Sequence, residues 1–358
     1  MRNHWRPELA ERLYLDHAAT TPLLREAKLA MADALDRWAN PSSPHAEGRA
    51  ARAALEHARE RITAALGWRH DVIFTSGATE AIAIAIQRTK AARSRASSVE
   101  HDGVLRAAPN AERLPVNRHG IVQLGEVASD DLMVIQHVNN ETGVIQPIDL
   151  LAYEIREAGG TLFCDCAQSA GKCDLPDADL IAVSAHKLGG PPGVGALLVR
   201  DLALLDPSGG QERGYRGGTE NLPAILGFAA ALEVKRDWLR ETELLRAVLD
   251  ERIEAAGGEV IADSVDRIAT IGAYRMPGVA ANAQLIQFDL AGIAVSAGSA
   301  CSSGSMKPSH VLAAMGFDPE AGGEVIRVSF GPSTKAADID RFIGEWLRIA
   351  SRAKARAA

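Results

Sequence analysis

Between residues 72 and 185 short apolar runs alternate with helical segments, and this alternation restricts the fold more than any other feature of the chain. Residues 72–74, 96–99, 112–116, 132–137, 161–165 and 180–185 read as strands. Residues 46–66 and 148–158 read as helices, the first closed by Gly67, a residue suited to the left-handed conformation just past a helix end. Strands interleaved with helices predict an α/β fold. Its large domain is a mostly parallel sheet covered by helices on both faces, and its site lies at the carboxyl ends of the strands. His101, Asn140, Asp165 and Lys187 all fall at such ends.

The flanking segments follow different rules. Residues 13–16 read as a short strand entry, 23–38 as a helix and 40–44 as a loop. Beyond the Gly-rich stretch 208–218 a long helical segment begins near Leu222 and runs past Arg240. Short strands near Val260 and Ile268 follow, then a helix at 284–290, a small-residue loop at 296–305, a strand at 325–330 and an amphipathic terminal helix at 338–358. The expected division is a large domain over 13–242 and a smaller α+β domain over 1–12 and 243–358 that carries the loop with Cys301. A net charge of −7 in 358 residues argues against a sequence-independent hold on nucleic acid. No run approaches 18 apolar residues, and the charged first 15 residues lack the apolar core of a secretion signal. Four cysteines in a chain of this length do not read as a disulfide framework, so a reducing cytoplasm is the expected compartment.

The stretch LIAVSAHKLGGPPGVG, residues 180–195, delivers Lys187 to the lip of the sheet, where its amine can condense with a carbonyl compound as a Schiff base. Taken alone, such a lysine is a solvated charge. Thr75 to Glu80 joins a strand to a helix through small residues, which leaves backbone N–H groups and the positive helix end facing an anion; Ser76 and Thr79 as plain helix caps explain the same pattern. If the anion is the phosphate of pyridoxal phosphate, an acid must stand opposite the ring nitrogen, and Asp165 is placed for it. Gln168 and Asn140 suit the ring hydroxyl, and His101 suits the ring face. Ser184 and His186, on one side of an extended strand, suit the phosphate. Cys164 and Cys166 read as small buried hydrophobes, whereas Cys301, in SAGSACSSGS, reads as an accessible nucleophile. Paired spacing for zinc is missing, and no metal site is assigned.

In order along nearly the whole chain, YLDHAATTP, NPSSPHAEGRAAR, FTSGATEA, EHDGVL, HVNNETGVIQPI, DCAQSAGK, SAHKLGGPPGVGALLVR, GGQERGYRGGTENLPAILGFAAAL, SAGSACSSGSMKPSHVL and IRVSFGPST resemble cysteine desulfurases of the NifS/IscS type. That family lies within the aspartate-aminotransferase-like, class-V group of pyridoxal-phosphate enzymes of fold type I. The resemblance implies that Lys187 is the Schiff-base lysine and Asp165 the partner of the ring nitrogen. It also implies that Gln168 and Asn140 contact the ring oxygen, and that His101 stacks on the ring and shuttles protons. Ala78, Thr79, Ser184 and His186 would cradle the phosphate, with Thr219 reaching it from the other subunit of a homodimer. Arg327 would clamp the carboxylate of L-cysteine, with Asn140 beside the substrate. Cys301 would take the sulfur as a persulfide, releasing L-alanine, and pass it to a sulfur-acceptor or iron–sulfur scaffold protein. Pro192 stands where the family usually has lysine. A selenocysteine lyase, or a related lyase or aminotransferase of the same fold, is the alternative activity. A non-catalytic relative that kept the fold is the alternative outside enzymology.

Overall fold

The computed structural model describes residues 12–37, 39–300 and 306–357. It divides into two compact units. The smaller holds the chain up to Ala19, Asn140–Val144 and everything from Asp237 onward; the larger holds Thr20–Asn139 and Ile145–Arg236.

The smaller unit contributes β1 (Leu13–Tyr14) before the chain enters the larger. There it forms α1 (Arg25–Asp36), α2 (Ala46–Leu66), β2 (Asp71–Thr75), α3 (Ala78–Gln87), β3 (Arg93–Ser97), α4 (Asp102–Ala107), β4 (Glu112–Leu114) and β5 (Asp131–Val134). It continues with α5 (Ile148–Glu157), β6 (Thr161–Asp165), β7 (Leu180–Ser184), β8 (Gly195–Val199) and α6 (Leu222–Glu233). Seven strands pair in the order β2-β8-β7-β6-β5-β3-β4. All neighbours are parallel except β8, which runs antiparallel between β2 and β7. Every residue of β5, β7 and β8 is buried, as expected for strands covered on both faces. One apolar layer includes Leu55, Ile62 and Phe228, and the other is built on α3 with Ile73, Phe163 and Leu197.

The smaller unit continues with α7 (Trp238–Ala255), β9 (Glu259–Val260), β10 (Ile271–Arg275), α8 (Ala281–Leu290), β11 (Ile293–Ala294), β12 (Ser299–Ala300) and β13 (Met306–Lys307). It ends with α9 (His310–Ala314), α10 (Pro319–Gly322), β14 (Val325–Ser329) and α11 (Ala336–Ala357). Its core stacks Phe288 on Phe342, with ring centroids 4.9 Å apart, beside the fully buried Trp346. Among the described residues no helix is long and apolar enough to cross a membrane.

Several elements differ from the sequence expectation. The long helix past Arg240 is two helices: Val234 turns extended, and Arg236 closes the end of α6 by donating to the carbonyls of Ala231, Leu232 and Val234 at 2.9, 3.0 and 3.2 Å. The chain therefore changes units at Asp237 rather than near residue 242, which keeps α7 whole. Residues 13–19 fall in the smaller unit because β1 pairs with β11, and 140–144 do so because Val144 bridges to Arg267. The strand expected near Ile268 starts at Ile271, and the strand expected at 96–99 is Arg93–Ser97. β8 carries no separate signal in the sequence, because its apolar run follows directly on the glycine loop.

The Gly-rich segment is pinned by one buried ion pair. Glu212 and Arg213 both hold left-handed backbone, φ 47° and 57°, a conformation that costs roughly 1–3 kcal/mol for a residue with a side chain. Offsetting this, the Glu212 carboxylate accepts the Phe74 N–H at 2.8 Å and a two-pronged contact from Arg59 at 2.8 and 3.0 Å. The Arg59 guanidinium also lies 4.5 Å from the Phe74 ring centroid. Removing the arginine strands a buried carboxylate. Arg59→Ala is expected to lower the unfolding free energy by about 3–5 kcal/mol, read as a reduced urea midpoint. Arg59→Lys should recover only part, since a point charge cannot reproduce the fork; full stability in Arg59→Ala would show that the pair does not hold the segment.

Candidate active site

The anion end of the site begins where β2 stops. After Thr75 the chain passes through Ser76 and Gly77, whose φ of +150° favours glycine, and α3 starts at Ala78. Gly77 supplies no side-chain cap, and the space where its Cβ would stand is open to 4 Å. The first N–H groups of a ten-residue helix, Ala78 and Thr79 among them, therefore keep capacity for an anion. Thr75, Gly195 and Ser184 are in register across β2, β8 and β7, which sets Ser184 level with this turn and ~10 Å away by strand spacing. Gly195 is obligatory there: a Cβ would come within 2.8 Å of Gly77 and closer still to the Val183 carbonyl.

The period-of-two argument for Ser184 and His186 fails, because β7 ends at Ser184 and residues Ala185–Lys187 form a 3₁₀ turn. Within that turn His186 Nδ1 lies 3.1 Å from Thr20 Oγ1. Burial, then the Lys187 charge, push the His186 imidazole down to about 4. A neutral histidine that prefers not to be charged in isolation becomes a proton acceptor once a dianion sits beside it.

Asp165 closes β6, buried, with Oδ1 accepting the Ala167 N–H at 2.9 Å. Burial raises its pKa, and the nearby positive potential of His101 and Lys187 works against that rise. The same charges are felt at His101: burial lowers its pKa, Asp165 opposes and Lys187 assists. Asp165, His101 and Lys187 are thus brought within electrostatic reach of one another. His101 lies beyond the end of β3 as the N-cap of α4, not at a strand terminus as expected. Its Nδ1 accepts the Gly103 N–H at 3.0 Å, so the proton of the neutral ring is on Nε2. Gln168 is buried in the turn after Asp165. Lys187 ends the 3₁₀ turn, its carbonyl accepting the Thr21 hydroxyl at 3.1 Å.

The remaining assigned residues lie on other segments of the chain. Asn140, expected at a strand end, belongs to the smaller unit, where its carbonyl accepts Arg327 Nη1 at 2.8 Å. Arg327, also buried, gives Nη2 to Asp16 at 2.8 Å, and its Nε finds no partner among the described residues. Thr219 is exposed at the tip of the Gly-rich segment. Cys301 lies outside the described residues; on either side of it β12 and β13 pair antiparallel. Cys164 and Cys166 are fully buried, with their sulfurs 3.7 Å apart.

Two groups escaped the sequence reading. Glu100 is wholly buried and accepts the Gln136 N–H at 2.8 Å; burial and then the Asp165 charge keep its carboxyl well above the usual carboxylate range. Lys172 is held down at about 8 by burial and by Lys187. That a carboxyl is buried, or that two lysines distant in the chain feel each other's charge, carries no signal in a linear sequence.

These donors fit pyridoxal phosphate. A buried carboxylate with one oxygen committed to a backbone N–H suits a pyridinium N–H, an uncapped helix start suits a phosphate, and a lysine whose charge is felt by both His101 and Asp165 suits an aldehyde. Residues 13–342 match the family described as aminotransferase class-V. A cysteine desulfurase of Cereibacter sphaeroides is 37% identical, over 93% of this chain and 94% of its own. The solved NifS-like protein of Rickettsia africae ESF-5 superposes with a TM-score of 0.85 at 30% identity, covering 95% of this chain and all of the other. SspA, solved in complex with cysteine, gives 0.77 at 29% identity, over 90% of this chain and 100% of its own. The chain belongs to the class-V aminotransferase family, and its cofactor is pyridoxal phosphate.

Proposed function

We propose that the protein is a cysteine desulfurase: it converts L-cysteine to L-alanine and takes the sulfur onto Cys301 as a persulfide. The observation that carries this reading is the grouping of Asp165, His101 and Lys187 within reach of one another's charge, on a chain whose curated relatives are named for that activity.

Bound pyridoxal phosphate supplies an electron sink for the pair released when bonds at the substrate α-carbon are broken. Lys187 would hold the aldehyde carbon of the bound cofactor. Asp165 would keep a negative charge opposite the ring nitrogen, and Ala78, Thr79, Ser184 and His186 would hold the phosphate. His101, neutral and protonated on Nε2, would stack on the ring and move a proton, while Gln168 and Asn140 would orient the ring oxygen. Arg327 takes the substrate carboxylate, a task that suits its planar fork. The Cys301 thiolate attacks the substrate sulfur. As the S–S bond forms the C–S bond breaks, its electron pair stays with carbon and is protonated, and alanine and the Cys301 persulfide result. The enzyme works as a cytoplasmic homodimer, with Thr219 directed to the phosphate of the partner subunit, and delivers sulfur to an acceptor or iron–sulfur scaffold protein. Exposure of Thr219 at the tip of a pinned segment supports that arrangement.

Purified protein given L-cysteine is expected to release alanine and to gain one sulfur on the peptide containing Cys301 by mass spectrometry. Cys301→Ala should keep the cofactor absorbance while losing both products; an equally active Cys301→Ala protein would sink the assignment. The pH profile gives a separate check. Because burial lowers the His101 pKa, the neutral imidazole persists below its ordinary 6.5, so the acid limb of kcat/KM should lie below that pH. An acid limb above 6.5 that vanishes in His101→Gln would contradict the neutral-histidine role.

A further inference from the structure

As the seat of a phosphate, the start of α3 carries an electrostatic conflict. Its first turn holds an acid, Glu80, on the helix end that the cofactor reading assigns to a dianion. The side chain folds back on its own helix start, and its Oε2 accepts the Ser76 N–H. Burial raises the carboxyl pKa, but the Ser76 N–H and Arg216 outweigh it and hold the group below the ordinary range. Glu80 is therefore a full negative charge beside the cradle, and unopposed it would repel phosphate.

The opposition comes from Arg216. Its Nε donates to Glu80 Oε1 at 3.1 Å and its Nη1 to the Gly218 carbonyl at 3.1 Å, with 18% and 30% of the Arg216 and Glu80 side chains exposed. One guanidinium thus cancels the carboxylate and ties segment 216–218 to the helix start. That segment has little else to fix it: Gly217 and Gly218 are exposed with open space around them, and Gly218 holds φ +93°. Farther back the segment is anchored by Glu212 on Arg59, and Gln211 bridges to Arg216. Arg216 is the point at which this anchored segment meets the cradle.

We propose that Arg216 is a positioning residue of the phosphate site, neutralising Glu80 and fixing the segment that leads to Thr219, without itself touching the cofactor. The assignment rests on the pyridoxal-phosphate reading of the site. It has a consequence that simple support of the fold would not have: its effect depends on the phosphate. Loss of Arg216 penalises a ligand that carries the dianion and spares one that lacks it, and removal of Glu80 reverses the penalty.

The test uses the full-length protein stripped of cofactor and titrated by absorbance with pyridoxal 5′-phosphate and with pyridoxal. Arg216→Gln should weaken binding of the phosphate ester by about tenfold or more, the scale of an uncompensated charge at close range, and leave pyridoxal nearly unchanged. Glu80→Gln should bind the ester at least as tightly as the wild type. The double variant should regain most of what Arg216→Gln loses. Equal weakening of both ligands in Arg216→Gln, or a double variant no better than that single one, overturns the assignment while leaving the cofactor reading intact. Wild-type protein that does not distinguish the two ligands overturns the reading and the assignment together. Should Arg216→Gln fail to fold, Glu80→Gln still decides, because weaker binding of the ester there contradicts the proposed repulsion.

Discussion

Asp165 is a carboxylate carried out of water at the end of a fully covered strand, and such a group needs a positive partner. Within the protein it receives one backbone N–H and the potential of His101 and Lys187, together too little to cancel the effect of burial. A protonated ring nitrogen meets that need. The sheet puts this demand in place: β6 and β7 run parallel in register, Asp165 opposite Ala182, so that Asp165 and the turn bearing Lys187 leave the same edge. The cofactor therefore completes a charge arrangement that the fold leaves short of positive charge.

At the opposite end the balance has the other sign. The start of α3 offers N–H groups and a dipole, and His186 is held neutral by burial and by Lys187. Glycines 77 and 195 allow the turn to lie directly on β8, which brings the cradle level with Ser184. Strained backbone at Glu212 and Arg213 is tolerated because a buried, two-pronged ion pair holds it. That strain has a functional reading, since the strained residues begin the segment that carries Arg216 and Thr219.

Much of this was legible in the sequence where the signal is local. Apolar runs gave β6 and β7, Gly67 takes the left-handed cap at φ 66°, and small residues after Thr75 marked the cradle. Lys187 and Asp165 could be read as partners because both end apolar runs. Other features depend on pairing between distant residues. β8 merges with a glycine loop in sequence and is defined only by its neighbours β2 and β7. Asn140 looks like a strand terminus, yet its short segment is claimed by Val144 and Gly143 packing on residues 267–271. His186 follows an apolar run but leaves the strand, because the chain tightens into a 3₁₀ turn before the glycines. Glu100, Lys172 and Arg216 acquire meaning only from what burial and folding set beside them.

All of the proposed chemistry requires one amine to hold the cofactor. Borohydride reduction of the purified holoprotein, followed by peptide mass mapping, identifies that amine directly. The pyridoxyl group should be found on the peptide containing Lys187. A label on neighbouring Lys172, or on no lysine at all, would contradict the placement of the site between Asp165 and the β7 turn.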